Sequence, residues 1–328
     1  MDDDTKLINS LAQRLWTQKG QLVNWEHLGA DVRGYDTTVS ALSRLLEMGF
    51  DVRLSPAGVR LVPPEDTPCT DGLLDEYSST TVYFAMTEST NSLAANLARV
   101  GAMHGTVVIA EAQLEGRGRY GRDWFSPAGM GLWFSMILRP TAPVDRPGLV
   151  PILIGIALGR VIRDMGARSI LLKWTNDILW RNRKIAGILV EKIQAGPREA
   201  FVVGIGINVH QTGMDFPETL RGKSIGLDQV LGKVIPRGEL LRKVVPRIRA
   251  LWEESFSTSF QHIPKLWIEE SGTIGMNVRA AVESEIIPGV IEGIDDHGGL
   301  VLKLEDETRR TIVTGRIEIM SGATESIL

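Results

Sequence analysis

From 170 to 209 the chain passes through four strand-forming runs, 170–174, 178–180, 185–192 and 201–209, joined by Thr175-Asn176-Asp177, Arg181-Asn182-Arg183 and Ala195-Gly196-Pro197. A parallel pair needs a crossover of about a dozen residues or more, so connections this short force antiparallel neighbours. Apolar patterning adds strands at 106–111 and 132–138 and helices at 91–100, 152–165 and 239–252. The centre of the chain, about 80–270, is therefore expected to be α+β, built on a sheet that is largely antiparallel.

Glycines interrupt two of these strands. Gly187 breaks the run Ile185-Ala186-Gly187-Ile188-Leu189, and Gly204 and Gly206 break the run ending at Asn208. Glycine inside a strand marks a bulge or a close approach by another group, and either role would account for these. Lys184 stands just before Gly187 at a turn, placed to aim a charge at a ligand lying on the sheet.

Between strands 106–111 and 132–138 lies Gly116-Arg117-Gly118-Arg119-Tyr120-Gly121-Arg122, with no acid until Asp123. Arginine forks match phosphate or carboxylate, and glycine lets backbone approach a ligand. The glycine spacing satisfies G-x-G-x-x-G, but the dinucleotide fingerprint needs a helix starting there and an acid about 20 residues on. Here Trp124-Phe125-Ser126-Pro127 follows, the acid's place falls at Arg139-Pro140, and no Lys-Ser or Lys-Thr follows these glycines as in a phosphate-binding P-loop. RNA-binding Arg-Gly tracts are long and repetitive, unlike this single segment between two strands. Three like charges within ~6 Å repel by about 0.7 kcal/mol per pair even in water. The loop is thus expected to be mobile alone and to order around an anion. Ser89-Thr90-Asn91 precedes a helix and reads equally as its N-cap or as a ligand contact.

The two ends differ from the centre. Leu7, Ile8, Leu11, Leu15 and Trp16 recur at helical spacing up to Gly20, a short helix begins over 25–28, and a third over 37–48 carries Val39, Leu42, Leu45 and Leu46 on one face. Strands at 51–54 and 59–62 flank Ser55-Pro56-Ala57-Gly58, completing the outline of a winged helix-turn-helix before a linker, Pro63-Pro64-Glu65-Asp66. After about 273, short strands at 278–282, 286–292, 300–304 and 310–313 suggest a small β-barrel.

The 328 residues exceed one average domain, and a net charge of −4 argues against bulk nucleic acid as the main partner. Cys69 is the only cysteine, which excludes an intrachain disulfide and a cysteine zinc site. The longest apolar stretch, 149–158, contains Pro151 and Gly155 and ends before Arg160, short of the about 20 residues a bilayer requires. With no signal-peptide pattern at the start, a cytoplasmic enzyme without membrane association is expected.

These segments together resemble the biotin–protein ligases, in particular the bifunctional kind that doubles as a biotin-operon repressor. The resemblance rests on Gly-Arg-Gly-Arg-x-Gly-Arg with Trp124, and on Lys173-Trp174-x-Asn176-Asp177 followed by Lys184-x-x-Gly187-Ile188. It implies a winged helix over 1–66, a catalytic domain over 67–272 with the mixed sheet of class II aminoacyl-tRNA synthetases, and an SH3-like barrel over 273–328. The implied reaction joins biotin to the α-phosphate of ATP, with Mg²⁺, and passes the biotinyl group to a lysine of a biotin carboxyl carrier domain. By position, Ser89, Thr90, Asn91 and Gln113 would contact biotin's ureido ring. Gly116, Arg117, Gly118 and Arg119 would close over the carboxylate and α-phosphate, with Arg122 on the phosphates. Lys184 would stabilise the transition state beside Arg117 and Arg119, while Gly187 and Gly204 would let the ligand lie on the sheet. Trp124, Asn176 and Asn208 would serve the nucleotide. No protein metal ligand is implied. Lipoate ligation, or ligand sensing without catalysis, are the rival readings.

Two departures stand out. Thr175 occupies a position where the family usually has proline. Residues 1–62 carry seven Lys/Arg against eight Asp/Glu, a net of −1, and only Arg44 is basic in the stretch matching the family's recognition helix. DNA affinity rests on phosphate neutralisation, so charge makes this unit a poor operator binder, with Arg53 and Arg60 its remaining basic contacts. Homodimerisation on adenylate binding is the family's expectation for assembly.

Overall fold

The computed structural model describes residues 3–17, 22–24, 35–47, 51–55, 57–62, 81–195 and 198–320. The chain opens with α1 (Asp3–Thr17), α2 (Tyr35–Glu47) and an antiparallel hairpin of β1 (Asp51–Ser55) and β2 (Gly58–Val62). The expected helix over 25–28, Gly20 and the linker 63–66 lie outside the described residues. Ile8, Leu11, Leu15, Ala41, Leu42, Leu45 and Val59 pack together and continue into Ala85 and Met86 of β3 (Thr81–Thr87). Leu46, expected on the buried face of α2, is 57% exposed, because one step past Leu45 turns it about 100° around the helix. Asn9 seats α1 on β3: its Nδ2 donates to Met86 O at 2.6 Å and its Oδ1 accepts from Met86 N at 3.0 Å. A side-chain amide thereby occupies backbone groups on an edge strand that would otherwise be open to pairing.

The central sheet has seven strands in the order β3-β4-β5-β9-β8-β7-β6. After β3, α3 (Thr90–Arg99) crosses to β4 (Val107–Gln113), the sheet's parallel neighbour of β3, and β5 (Gly131–Leu138) turns back antiparallel. α4 (Leu149–Asp164) leads to β6 (Ile170–Lys173), β7 (Asp177–Trp180), β8 (Arg183–Ala195) and β9 (Arg198–Asn208), all antiparallel as the short turns require. α5 (Leu227–Leu231), α6 (Arg237–Ser257) and α7 (Ile263–Glu270) follow.

Alternation along the strands sorts the two faces. Val108, Ile137, Ala200 and Val202 meet Ala94, Ala95 and Ala98 of α3, whereas Val107, Met136, Phe201 and Val203 join the cluster containing the apolar residues of α4 and α6. Covered on both sides, β5 is buried along its whole length and reads as an apolar run interrupted only by Ser135 for that reason.

The last segment forms a five-stranded antiparallel sheet, β13-β12-β11-β10-β14, from β10 (Asn277–Val282), β11 (Glu285–Ile294), β12 (Leu300–Lys303), β13 (Arg309–Ile312) and β14 (Arg316–Ile319). β13 and β14 are opposite edges, yet only Val313, Thr314 and Gly315 separate them. Edges of a flat five-stranded sheet stand about 19 Å apart, and four Cα steps reach about 15 Å at most, so the sheet must curl on itself. Its Val278, Ala280, Ile291 and Leu300 belong to the same apolar cluster as α4 and the central strands, and Trp174 Nε1 donates to Gly298 O at 2.8 Å.

One ion pair is buried in this frame. Arg237, the first residue of α6, holds Glu111 of β4 at 2.7 Å with side chains 0% and 2% exposed, and also donates to Gly131 O. Glu111→Gln removes the Glu111 charge from beside this buried guanidinium. It is expected to cost about 3–5 kcal/mol, read as a drop in thermal midpoint of about 10 °C.

His104 Nδ1 accepts the Arg139 backbone N–H at 2.9 Å. Burial, then the charge of Arg249, holds its pKa below the ordinary 6.5, against a raising influence of Glu253. The unfolded chain therefore binds that proton more readily, so this contribution to stability is full above 6.5 and is lost as pH falls through the folded value. Denaturation midpoints taken between about pH 7 and 5 are expected to fall with a slope that His104→Gln reduces.

Candidate active site

The floor of the site is the β8–β9 ladder, in which Gly187 faces Gly206 and Leu189 faces Gly204. A Cβ on Gly187 would come within 2.7 Å of the Trp124 ring, one on Gly206 would collide with Trp124 Nε1, and one on Gly204 with Asn91 Oδ1. The glycines thus clear the sheet for an indole and an amide of this chain itself. Both Gly187 and Gly204 line the cavity, with Trp124 lying over the first and Asn91 over the second. Trp124 meets Trp133 edge-on at 6.4 Å, carries Lys184 Nζ 4.8 Å from its ring centroid, and has a buried Nε1 without a hydrogen-bond partner.

Ser89, Thr90, Asn91 and Gln113 bring neutral polar groups to the cavity. Ser89 occupies the N-cap position of α3 with extended backbone, yet its side chain makes no cap bond. Gln113 Oε1 accepts from the backbone N of Thr90 at 2.8 Å and from its hydroxyl at 3.1 Å, while Gln113 Nε2 donates to Ser126 Oγ at 2.8 Å. Ser135 Oγ, fully buried, lies 2.8 Å from Thr90 Oγ1 and 2.7 Å from Asn91 Oδ1; Asn91 Nδ2 donates to Glu191 Oε2 at 2.8 Å. Sequence reasoning missed Ser135, although a hydroxyl inside an otherwise apolar strand was its available signal.

The arginine loop is a closed hairpin. Trp124 N donates to Gly116 O at 2.7 Å, Gly118 N to Arg122 O at 2.6 Å, and a 3₁₀ turn over Arg119–Gly121 forms its tip. Gly116 does not line the cavity: a Cβ there would collide with Trp124 O and meet Ser126 Oγ at 2.8 Å, so this glycine serves the hairpin's neck. Each remaining charge has a tether. Arg117 bonds Ser92 Oγ at 2.8 Å and lies 3.8 Å from Glu191. Arg119 reaches Thr175 Oγ1 and Asn176 Oδ1, each at 3.1 Å, and Tyr120 OH at 2.8 Å. Arg122 stands 5.8 Å from the centroid of the Tyr120 ring. An account of repulsion among the arginines alone leaves out these partners, and they are why the loop is folded up here. Burial pushes the Tyr120 phenol up, but bonds to Thr314 and Gly315 and the charges of Arg119 and Arg122 outweigh it, leaving the phenol below its ordinary value.

Opposite the loop, Lys184 Nζ pairs with Asp177 Oδ1 at 2.7 Å. Asn208 donates to Lys184 O at 3.1 Å and Asn176 to Ile188 O at 3.0 Å, so both amides brace the strand that presents the lysine. Lys173, another residue sequence reasoning left without a role, has a lowered pKa: burial depresses it, Asp177 opposes, and Lys184, Arg122 and Arg316 depress it further.

Ser89, Thr90, Asn91, Gln113, Arg117, Gly118, Arg119, Arg122, Trp124, Asn176, Lys184, Gly187, Gly204 and Asn208 all line one cavity of about 420 Å³. Lys173, Lys223 and Arg316 bring its cations to seven, against the two acids Asp123 and Asp177, so it favours a strongly anionic ligand. Among the described residues no group of three or more His, Cys, Asp or Glu is placed to hold a metal ion, and no helix is long and apolar enough to cross a membrane.

Comparison with known proteins agrees with this geometry. The profile of the Biotin/lipoate A/B protein ligase family matches residues 83–208, and that of the Biotin protein ligase C terminal domain matches residues 273–320. The bifunctional ligase/repressor BirA of Escherichia coli is 30% identical over 331 residues, covering 98% of this chain and 99% of that one. BirA of Bacillus subtilis is 33% identical over 239 residues, 73% of each chain. Among solved structures, the biotin protein ligase from Aquifex aeolicus in complex with biotin and ATP superposes with a TM-score of 0.64 at 27% identity, covering 74% of this chain and 98% of that one. The first profile spans biotin and lipoate ligases alike; the second, together with the named relatives, separates them, and the chain belongs to the biotin protein ligase family.

Proposed function

We propose that the chain activates biotin with ATP and transfers the biotinyl group to a lysine of a biotin carboxyl carrier domain. The observation that carries this reading is a single cavity lined both by neutral amides and hydroxyls and by several arginine and lysine side chains. Biotin combines the two matching features, a neutral ureido ring and a carboxylate. Ser89, Thr90, Asn91 and Gln113 are assigned to the ring, the first with its hydroxyl uncommitted to the helix cap.

In the first step a carboxylate oxygen of biotin forms a bond to the α-phosphorus, the bond from that phosphorus to the bridging oxygen breaks, and pyrophosphate leaves with the electron pair. Both reactants are anions, so the protein's task is to neutralise and align them rather than to supply a nucleophile. Arg117, Gly118 and Arg119 are assigned to the carboxylate and α-phosphate, Arg122 to the phosphates, and Lys184 to the charge that builds up between them. Trp124 supplies a flat wall beside the nucleotide, and Asn176 and Asn208 act by holding Arg119 and the Lys184 backbone. Mg²⁺ would enter with ATP and be ligated by its phosphates, where it would offset their charge. In the second step the acceptor amine attacks the acyl carbon, loses a proton, and AMP departs with the bonding pair.

The domain division 1–66, 67–272 and 273–328, with a winged helix first and an SH3-like barrel last, belongs to the same reading. So does homodimerisation on adenylate binding. The curled five-stranded sheet supports the barrel, and α1, α2 and the β1–β2 hairpin support the winged helix. Streptavidin detection of a carrier domain incubated with the protein and biotin tests the activity. Labelling should require ATP, whereas transfer of lipoate in place of biotin would refute the assignment. Lys184→Ala is expected to slow adenylate formation by about 10²–10³-fold in single turnover, the usual loss for one group aimed at transition-state charge.

A second role at operator DNA is favoured by one observation. Arg53 and Arg60 are directly opposite each other across the hairpin and exposed, so both side chains are presented on one face of it. Against it, Arg44 is paired with Glu47 at 2.8 Å. DNA contact confined to that hairpin should give a shallow salt dependence, a log–log slope of about −2 for two phosphates per chain. Gel shifts with the operator of biotin-synthesis genes should show this slope and lose it in the doubly substituted Arg53→Ala, Arg60→Ala chain; absence of any shift in the unaltered chain removes the role.

A further inference from the structure

Tyr120 carries the arginine loop across to the C-terminal sheet. Its φ of 60° lies in the left-handed region, which an aromatic residue adopts only where its surroundings hold it. Those surroundings converge on the phenol oxygen. It accepts from Arg119 Nη2 at 2.8 Å and from the backbone N of Gly315 at 3.2 Å, donates to Gly315 O at 3.2 Å, and is hydrogen-bonded with Thr314 Oγ1, also at 3.2 Å. A phenol has one proton and two lone pairs, and all are engaged here.

The receiving segment is also a wall of the site. Gly315, Arg316 and Ile317 line the same cavity as the glycines of β8 and β9. Arg119 meanwhile donates its other terminal nitrogen to Thr175 and Asn176 on the central sheet. The guanidinium is therefore fixed between two bodies of the protein, with the Tyr120 oxygen as the joint on the C-terminal side.

We propose that Tyr120 is a positioning residue that latches the arginine loop to the C-terminal sheet and so sets how long a bound acyl-adenylate is retained. The proposal rests on the ligase reading above. With the phenol engaged, Arg119 stays over the cavity and the mouth between the loop and Thr314–Gly315 is shut. With it released, the loop keeps its own hairpin bonds but loses its hold on the far wall. The ring itself can continue to stack with Arg119 and Arg122, whose guanidinium carbons stand 4.9 and 5.8 Å from its centroid, so removing the hydroxyl alone isolates the latch.

The test loads the full chain with adenylate made from biotin and ATP labelled at the α-phosphate, then follows release of label after a chase of unlabelled substrates. Tyr120→Phe is expected to release adenylate about tenfold faster and Thr314→Val about two- to threefold faster, in line with one or two net hydrogen bonds. Because both changes cut the same link, the double variant should release no faster than Tyr120→Phe. Release from Tyr120→Phe at the unaltered rate overturns the latch, as does a double variant in which the two effects multiply. Failure of Tyr120→Phe to form adenylate overturns it as well, since that would put the phenol in the bond-making step. If the unaltered chain forms no labelled adenylate, it is the ligase reading that fails.

Discussion

Crowding positive charge into one cavity is the constraint that the rest of the site answers. Arginines and lysines gathered without their ligand repel one another, and for Lys173 burial adds to the cost and holds its ammonium below the ordinary value. The chain answers with local, partial neutralisation. Asp177 holds Lys184, Glu191 stands near Arg117, and neutral oxygens of Thr175, Asn176 and Tyr120 hold Arg119. None of these satisfies a guanidinium as fully as a bidentate phosphate would. The result is a set of cations held in place yet still electrostatically in need of an anion.

That arrangement depends on bringing distant segments to one place. The neutral groups of the cavity come from the start of α3 and the end of β4, the lysine from the start of β8, and Gly315 from the β13–β14 connection. The parallel β3–β4 crossover puts Thr90 beside Gln113, while the buried Glu111–Arg237 pair ties β4 to the helix layer behind it. Continuous apolar packing then joins the central sheet and the C-terminal sheet in one core.

How much of this was readable from the sequence depended on whether the determining contact was local. Turn length alone forced the antiparallel order of β6 to β9, and the arginine loop, Lys184 and the Ser-Thr-Asn segment all reached the same cavity. β3 was missed because Thr81–Thr87 follows a polar stretch and earns its place from the α1 packing and from pairing with β4. β14 was missed because four residues with alternating charge carry too little pattern, and α7 because it is only eight residues long. The glycines in β8 and β9 announced that something lies close above them, but sequence could not say that it was Trp124 and Asn91, which come from far away in the chain. Ser135 and Tyr120 were overlooked for the same reason, since their partners are 44 and 194 residues distant.

The glycine floor has a further consequence, for entropy. A binding surface made of flexible side chains must freeze their rotamers when a ligand arrives, at up to about 1.5–2 kcal/mol for each long one. Gly187, Gly204 and Gly206 have no rotamers to freeze, and Trp124 above them is already wedged flat against the strands. Whatever displaces or stacks on that indole meets a surface whose ordering cost was met when the sheet folded, so more of the contact energy remains available for gripping the ligand.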